Sequence, residues 1–218
     1  MHRVAVLALD GVYPFELGIP QRVFGSAESR YEITTCTADG KPVRSDADFM
    51  ISADHGPELL SSADTVVIPP FDLSLISSEL PTELAGALRQ IRPGTRIVSI
   101  CTGAFALAAA GMLDGRPATT HWRLAEKFRD MFPAVQLDPD VLFVEDGDLL
   151  TSAGAASGLD VCLHLIRSDH GSDLANRVAR TCVVPPFRDG GQAQPSSSRF
   201  PNSQARAPQQ PEPGRTRT

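Results

Sequence analysis

The sequence predicts an α/β domain built on a doubly wound, mostly parallel sheet flanked by helices. Three short apolar runs carry that reading: residues 4–9, Thr65-Val66-Val67-Ile68 and Arg96-Ile97-Val98-Ser99-Ile100. They are continuous rather than alternating, the pattern of strands covered on both faces. Segments with helical spacing stand between them, and 42% hydrophobic content over 218 residues suffices for one substantial core without a second complete domain. The single domain is expected over residues 1–185, a junction over 186–194 and a disordered tail over 195–218.

The first run should open the sheet, stopped by Asp10-Gly11. A helix is expected over 21–27, broken or offset near Pro20, and 31–37 alternates like a strand. Residues 40–55 are polar and weakly patterned, as in short edge strands and loops. Pro69-Pro70 stops the second run, and 81–91 has the spacing and proline entry of a helix. The third run is the central strand, and the alanine-rich stretch 102–110 reads as a small-faced buried helix ended by Gly111. Residues 141–144 and 149–151 flank a hairpin turn at Asp146-Gly147. Helices over 159–166 and 174–182 finish the domain, the latter capped by Ser172 or Asp173. Beyond Pro195 only Phe200 is a large apolar residue, so burial cannot offset the entropy of ordering the tail.

A net charge of −6 and a pI near 5.3 oppose broad affinity for nucleic acid or anionic membrane. No apolar run approaches a membrane span, and the N-terminal one is too brief for a signal peptide. Cys36, Cys101, Cys162 and Cys182 lie far apart with no C-x-x-C pair, and His55, His164 and His170 show no ligand spacing. The pattern implies reduced thiols in a cytoplasm, with neither a metal nor a cofactor.

Cys101 stands where a buried strand turns into a helix, the geometry of a nucleophile elbow. Unpaired N–H groups at the start of that helix would stabilise a thiolate and lower the thiol pKa; the alternative is a small buried core residue. Glu16 follows the first strand and can overhang the strand ends that carry Cys101, sharing a proton with it. The alternative is a solvated surface glutamate. His121, after Ala118-Thr119-Thr120, either reaches the same pocket or caps a helix while Trp122 packs in the core.

Taken together, Leu9-Asp10-Gly11-Val12 with Phe15-Glu16-Leu17, then Ser99-Ile100-Cys101-Thr102-Gly103-Ala104-Phe105, and Ala118-Thr119-Thr120-His121-Trp122 resemble the ThiJ/PfpI superfamily. The likeness covers about residues 3–194 and is strongest to the sensor half of GlxA-type regulators of the AraC family. It implies a flavodoxin-like, class I glutamine amidotransferase-like fold and a symmetric homodimer. In those regulators the stretch 183–194 would lead into two helix-turn-helix units; here a polar tail follows, as though the chain were truncated or its frame altered after Gln194. Specific DNA binding is therefore not expected from this chain alone.

The resemblance extends to isonitrile hydratases, in which Cys101 would attack the isonitrile carbon, Glu16 would manage protons and Thr102 would orient the intermediate. Two departures oppose that activity. The superfamily's Pro-Gly-Gly is here Pro69-Pro70-Phe71, where Pro70 has no N–H to donate and Phe71 adds bulk at the pocket. Thr102 also replaces the histidine that protease-like and glyoxalase-like members place after the cysteine. The resulting expectation is a ligand-sensing, dimerising domain whose small-molecule pocket is lined by Glu16, Pro70, Phe71, Cys101, Thr102 and His121. A cysteine-dependent enzyme is the alternative, with Cys101, Glu16 and Thr102 catalytic.

Overall fold

A computed structural model of the protein describes residues 1–76 and 80–195. The expected disordered tail thus lies outside the described residues from position 196 on. The chain runs β1 (His2–Ala8), α1 (Pro14–Gly25), β2 (Tyr31–Thr37), β3 (Val43–Arg44), β4 (Met50–Ile51), β5 (Thr65–Ile68), α2 (Thr82–Leu88), β6 (Arg96–Ile100) and α3 (Gly103–Ala109). It continues through β7 (Pro117–Ala118), α4 (Ala125–Met131), β8 (Gln136–Leu137), β9 (Phe143–Asp146), β10 (Leu149–Ser152), α5 (Ser157–His170) and α6 (Ser172–Cys182).

Six strands form the main sheet in the order β2-β1-β5-β6-β10-β9, all parallel except the edge strand β9, which pairs antiparallel with β10. The expected hairpin is that pair, turned at Gly147. Successive strand residues face opposite layers. In β1, Ala5 and Leu7 join one core cluster and Val4 and Val6 the other; in β5, Val66 and Ile68 oppose Val67. Leu84, Phe105 and Phe128 of α2, α3 and α4 cover the first face. Ile19, Val161 and Val178 of α1, α5 and α6 cover the second. This two-sided burial is why the strands lack hydrophobic alternation.

Strand order reverses between β1 and β5, which leaves a crevice at the carboxyl ends of β1, β5 and β6. At the opposite edge, Arg96 holds Asp169 through two hydrogen bonds of 3.0 and 2.9 Å, and Tyr31 donates to the same carboxylate at 2.8 Å. That half-buried group ties the start of β6 and β2 to the end of α5.

Two local expectations need correction. The first helix is not broken at Pro20: it starts at Pro14, in the first turn, and runs through Pro20 to Gly25. Pro20 removes only the donor that would bond the Glu16 carbonyl, and burial of Ile19, Val23 and Phe24 outweighs that loss. The cap of α6 is Gly171, with Ser172 already helical and no side-chain capping bond. The weakly patterned stretch 40–55 forms the small hairpin β3–β4, seated against the first loop by Asp46 N–H donating to the Val12 carbonyl at 3.0 Å. No described helix is long and apolar enough to cross a membrane.

Candidate functional site

Cys101 occupies the turn from β6 into α3 with φ = 54°, left-handed backbone that a non-glycine residue adopts at a cost. Neighbours over-determine it. Its N–H donates to the Ser152 carbonyl at 2.8 Å, and its own carbonyl accepts from the Thr120 hydroxyl at 2.8 Å. Two glycines make room. A Cβ on Gly154 would stand 3.0 Å from Cys101 Cα and Sγ and closer still to its Cβ. A Cβ on Gly103 would come within 3.2 Å of the Ile68 carbonyl carbon and closer to its oxygen. The thiol therefore lies under the 153–156 loop, and Cys101 is only 7% exposed.

Glu16, in the first turn of α1, is also 7% exposed, so it is not a solvated surface glutamate. Burial pushes its carboxyl pKa up, against hydrogen bonds from its own N–H and that of Ala155. Burial likewise pushes the Cys101 thiol up to about 12, and the nearby Glu16 charge adds to the rise. A backbone hydrogen bond from Thr102 opposes it without prevailing. The expected lowering of the thiol pKa is thus reversed: desolvation outweighs the dipole of a helix only two turns long. At neutral pH Cys101 is a thiol.

Thr102 bridges two loops. Its hydroxyl accepts from Phe71 N–H at 2.8 Å and donates to the Phe71 carbonyl at 3.1 Å, tying the loop after β5 to the turn after β6. Pro70 has no N–H, and its carbonyl accepts from Tyr13 N–H at 3.1 Å. Neither residue 70 nor 71 has a free amide for an oxyanion. The Phe71 side chain is 1% exposed and packs in the core with Ile76 and Leu84.

A cleft of about 390 Å³ opens beside this turn, lined by polar and aromatic residues including Tyr13, Arg44, Asp46, Asp72 and Thr102 and by the apolar Phe71, Leu73 and Leu124. Of the six expected pocket residues, Phe71 and Thr102 line it directly, while Pro70 and Cys101 adjoin them in the chain. Glu16 reaches the site through its charge on Cys101 and Tyr13. His121 does not line the cleft. Its Nδ1 accepts from Arg123 N–H at 3.3 Å and caps the short 3-10 turn Trp122–Leu124. Burial lowers its pKa, with the Arg123 charge adding to the effect. Trp122 stacks on His121 at 5.7 Å and stays partly exposed rather than entering the core.

Tyr13, Arg44, Asp46 and Asp72 escaped the sequence reading. Arg44 donates to Asp10 from Nη2 at 2.7 Å and from Nε at 3.1 Å, holding that carboxyl below its usual range. The one available signal was the acidic run Asp46-Ala47-Asp48 in a stretch without pattern. A larger groove of about 710 Å³ lies at the opposite sheet edge beside His2, Arg92 and Arg96. It is far from Cys101, and Arg96 there is already paired with Asp169. Among the described residues no group of three or more His, Cys, Asp or Glu is placed to hold a metal.

The fold and this site define a doubly wound α/β domain with a buried cysteine in a strained strand-to-helix turn and a carboxylate across from it. The chain matches the DJ-1/PfpI family over residues 2–168 and belongs to that family. The HTH-type transcriptional regulator CdhR of Pseudomonas aeruginosa is 32% identical over 155 residues, 71% of this chain and 45% of that protein. The isonitrile hydratase of Pseudomonas putida is 37% identical over 98 residues, 43% of this chain and 41% of the enzyme. In structure, an AraC family transcriptional regulator from Pseudomonas putida superposes with a TM-score of 0.69 at 21% identity, covering 84% of this chain and all of that one. The chain thus spans less than half the length of the regulator CdhR.

Proposed function

We propose that this domain is a noncatalytic ligand-sensing module of the kind carried by AraC-type regulators, with the cleft beside Cys101 as its ligand site. One observation carries the reading: the hydroxyl of Thr102 consumes the Phe71 amide, and Pro70 supplies none. A buried thiol followed by threonine rather than histidine, with no free amide from this loop, is poorly equipped for nucleophilic chemistry. Regulator relatives such as CdhR point the same way.

The cleft's charge suggests the ligand class. Arg44 is neutralised by Asp10, which leaves Asp46 and Asp72 at the wall beside the Tyr13 ring. Small organic cations are the expected ligands, since carboxylates and an aromatic face attract them. Calorimetry with a panel of small amines and quaternary ammonium ions, against carboxylates of the same size, tests this. Cations should bind, and Asp46→Asn should weaken them about tenfold, the effect of roughly one lost charge contact. Preferential binding of the carboxylates would sink the assignment.

Phe15, Phe49 and Met50 are large exposed apolar side chains close in sequence to the cleft residues Tyr13 and Asp46, and we take them as candidate contacts of the expected homodimer. Sedimentation velocity should show a dimer that Phe49→Glu/Met50→Glu converts to monomer; a wild-type monomer at all concentrations removes the idea. The enzyme alternative keeps one observation in its favour, the apposition of Glu16 and Cys101, which the isonitrile hydratase relative makes relevant. Hydration of an alkyl isonitrile, lost in Cys101→Ala, would establish it.

A further inference from the structure

Residues 186–194, expected as a junction, are docked along the domain. The guanidinium of Arg188 holds Asp160 through bonds of 2.9 and 2.5 Å, and Arg167 donates to the Pro186 carbonyl at 2.6 Å. Leu142 N–H donates to the Gly190 carbonyl at 2.8 Å, and Ala193 bridges antiparallel to Val141. The stretch ends at Gln194, whose side chain is inside the protein although the segment has no helix or strand; the residue is 2% exposed.

Both ends of the Gln194 amide are used. Its Oε1 accepts from Trp122 N–H at 3.1 Å, and its Nε2 donates to the carbonyls of Thr120 and Val141, each at 3.0 Å. Thr120 in turn donates its hydroxyl to the Cys101 carbonyl at 2.8 Å. Two side chains, Thr120 and Gln194, therefore connect the strained turn at Cys101 to the end of the docked segment 186–194. Gln194 lies outside the residues matched by the family, which end at 168.

We propose that 186–194 is a strap, and that Gln194 is the positioning residue that couples its seating to the Cys101 turn. When Gln194 is seated, the Thr119–Trp122 segment is fixed and Thr120 holds the Cys101 carbonyl. When it leaves, the part-buried N–H of Trp122 loses its acceptor, and the carbonyls of Thr120 and Val141 are left with the longer contact of the Thr119 hydroxyl at 3.4 Å, so the segment must rearrange or take up water. Linkage makes the effect reciprocal: a ligand that reshapes the turn changes the seating of the strap, and with it whatever follows Gln194. The use of this coupling for signalling rests on the sensor reading above; the coupling itself does not.

The test uses the ligand-free full chain. Gln194→Leu removes every Gln194 side-chain bond at similar volume. Gly190→Ala unseats the strap elsewhere, because its Cβ would stand 2.8 Å from the Phe143 ring and carbonyl. Iodoacetamide labelling of Cys101, followed by peptide mass spectrometry, should accelerate about tenfold in both variants, within the usual range of coupling between linked sites. Emission of Trp122, the only tryptophan, should shift in parallel, with far-UV dichroism unchanged. Should Gln194→Leu fail to fold, Gly190→Ala still decides. Unchanged Cys101 labelling in the folded variants overturns the coupling while leaving the ligand cleft standing. Labelling that accelerates while no small cation binds wild type keeps the coupling and removes the sensor reading instead.

Discussion

Gly154→Ala should destabilise the domain by roughly 2–5 kcal/mol, the sum of a left-handed alanine and an overpacked core contact. At φ = 93° the backbone of Gly154 suits no L side chain, and its missing Cβ is the space in which Cys101 sits. Total stabilities of such domains are about 5–15 kcal/mol, so the variant should unfold at markedly lower urea or fail to accumulate. The double variant Gly154→Ala/Cys101→Gly separates the two causes. It removes the Cys101 side chain from the contact and places glycine at φ = 54°, so it should regain most of the overpacking share and keep the strain at position 154 and the 3.0 Å approach to the Cα of residue 101. A Gly154→Ala protein with the wild-type urea midpoint would show that the turn is looser than its geometry requires.

Gly154 also marks where sequence reasoning stopped. The strands were legible because two-sided burial writes itself as continuous apolar runs, and Cys101 was legible because a strand ending in Cys-Thr-Gly announces a turn. Nothing local announces that Gly154, fifty-three residues later, must yield its Cβ to that cysteine. The same holds for Gln194, a polar residue in a polar stretch whose burial depends on three carbonyl and amide groups from two other segments. Arg44 and Asp46 reach the cleft because a two-stranded hairpin, too short to show a period, folds onto the first loop. Glu16 and Thr102 both lie close to Cys101, but their surroundings were not readable: burial governs the first and the Phe71 backbone holds the second.

Burial decides Cys101 as well, and its pH profile should show the largest effect of all. With the thiol pushed from an ordinary 9.0 up to about 12, its thiolate fraction at neutral pH should be about 10³-fold below that of an exposed cysteine. Iodoacetamide labelling at Cys101, with Cys101→Ser as the blank for other thiols, should climb about tenfold per pH unit from 7 to 10 without levelling, because only the thiolate reacts. Glu16→Gln removes a like charge from beside the thiol, so the profile should move to lower pH, opposite to the effect of deleting a proton donor. The same variant carries a stability signature. A carboxyl whose folded pKa is raised makes the native state hold its proton longer, so stability is fully present below the ordinary value of 4.5 and falls as pH rises toward the folded value. Glu16→Gln should abolish that decline, leaving a protein at least as stable as wild type at pH 7. A Cys101 profile that levels below pH 8, with Glu16→Gln shifting it upward, would mean that the carboxyl stabilises a thiolate, and the cysteine-dependent enzyme would then displace the sensor as the function of this site.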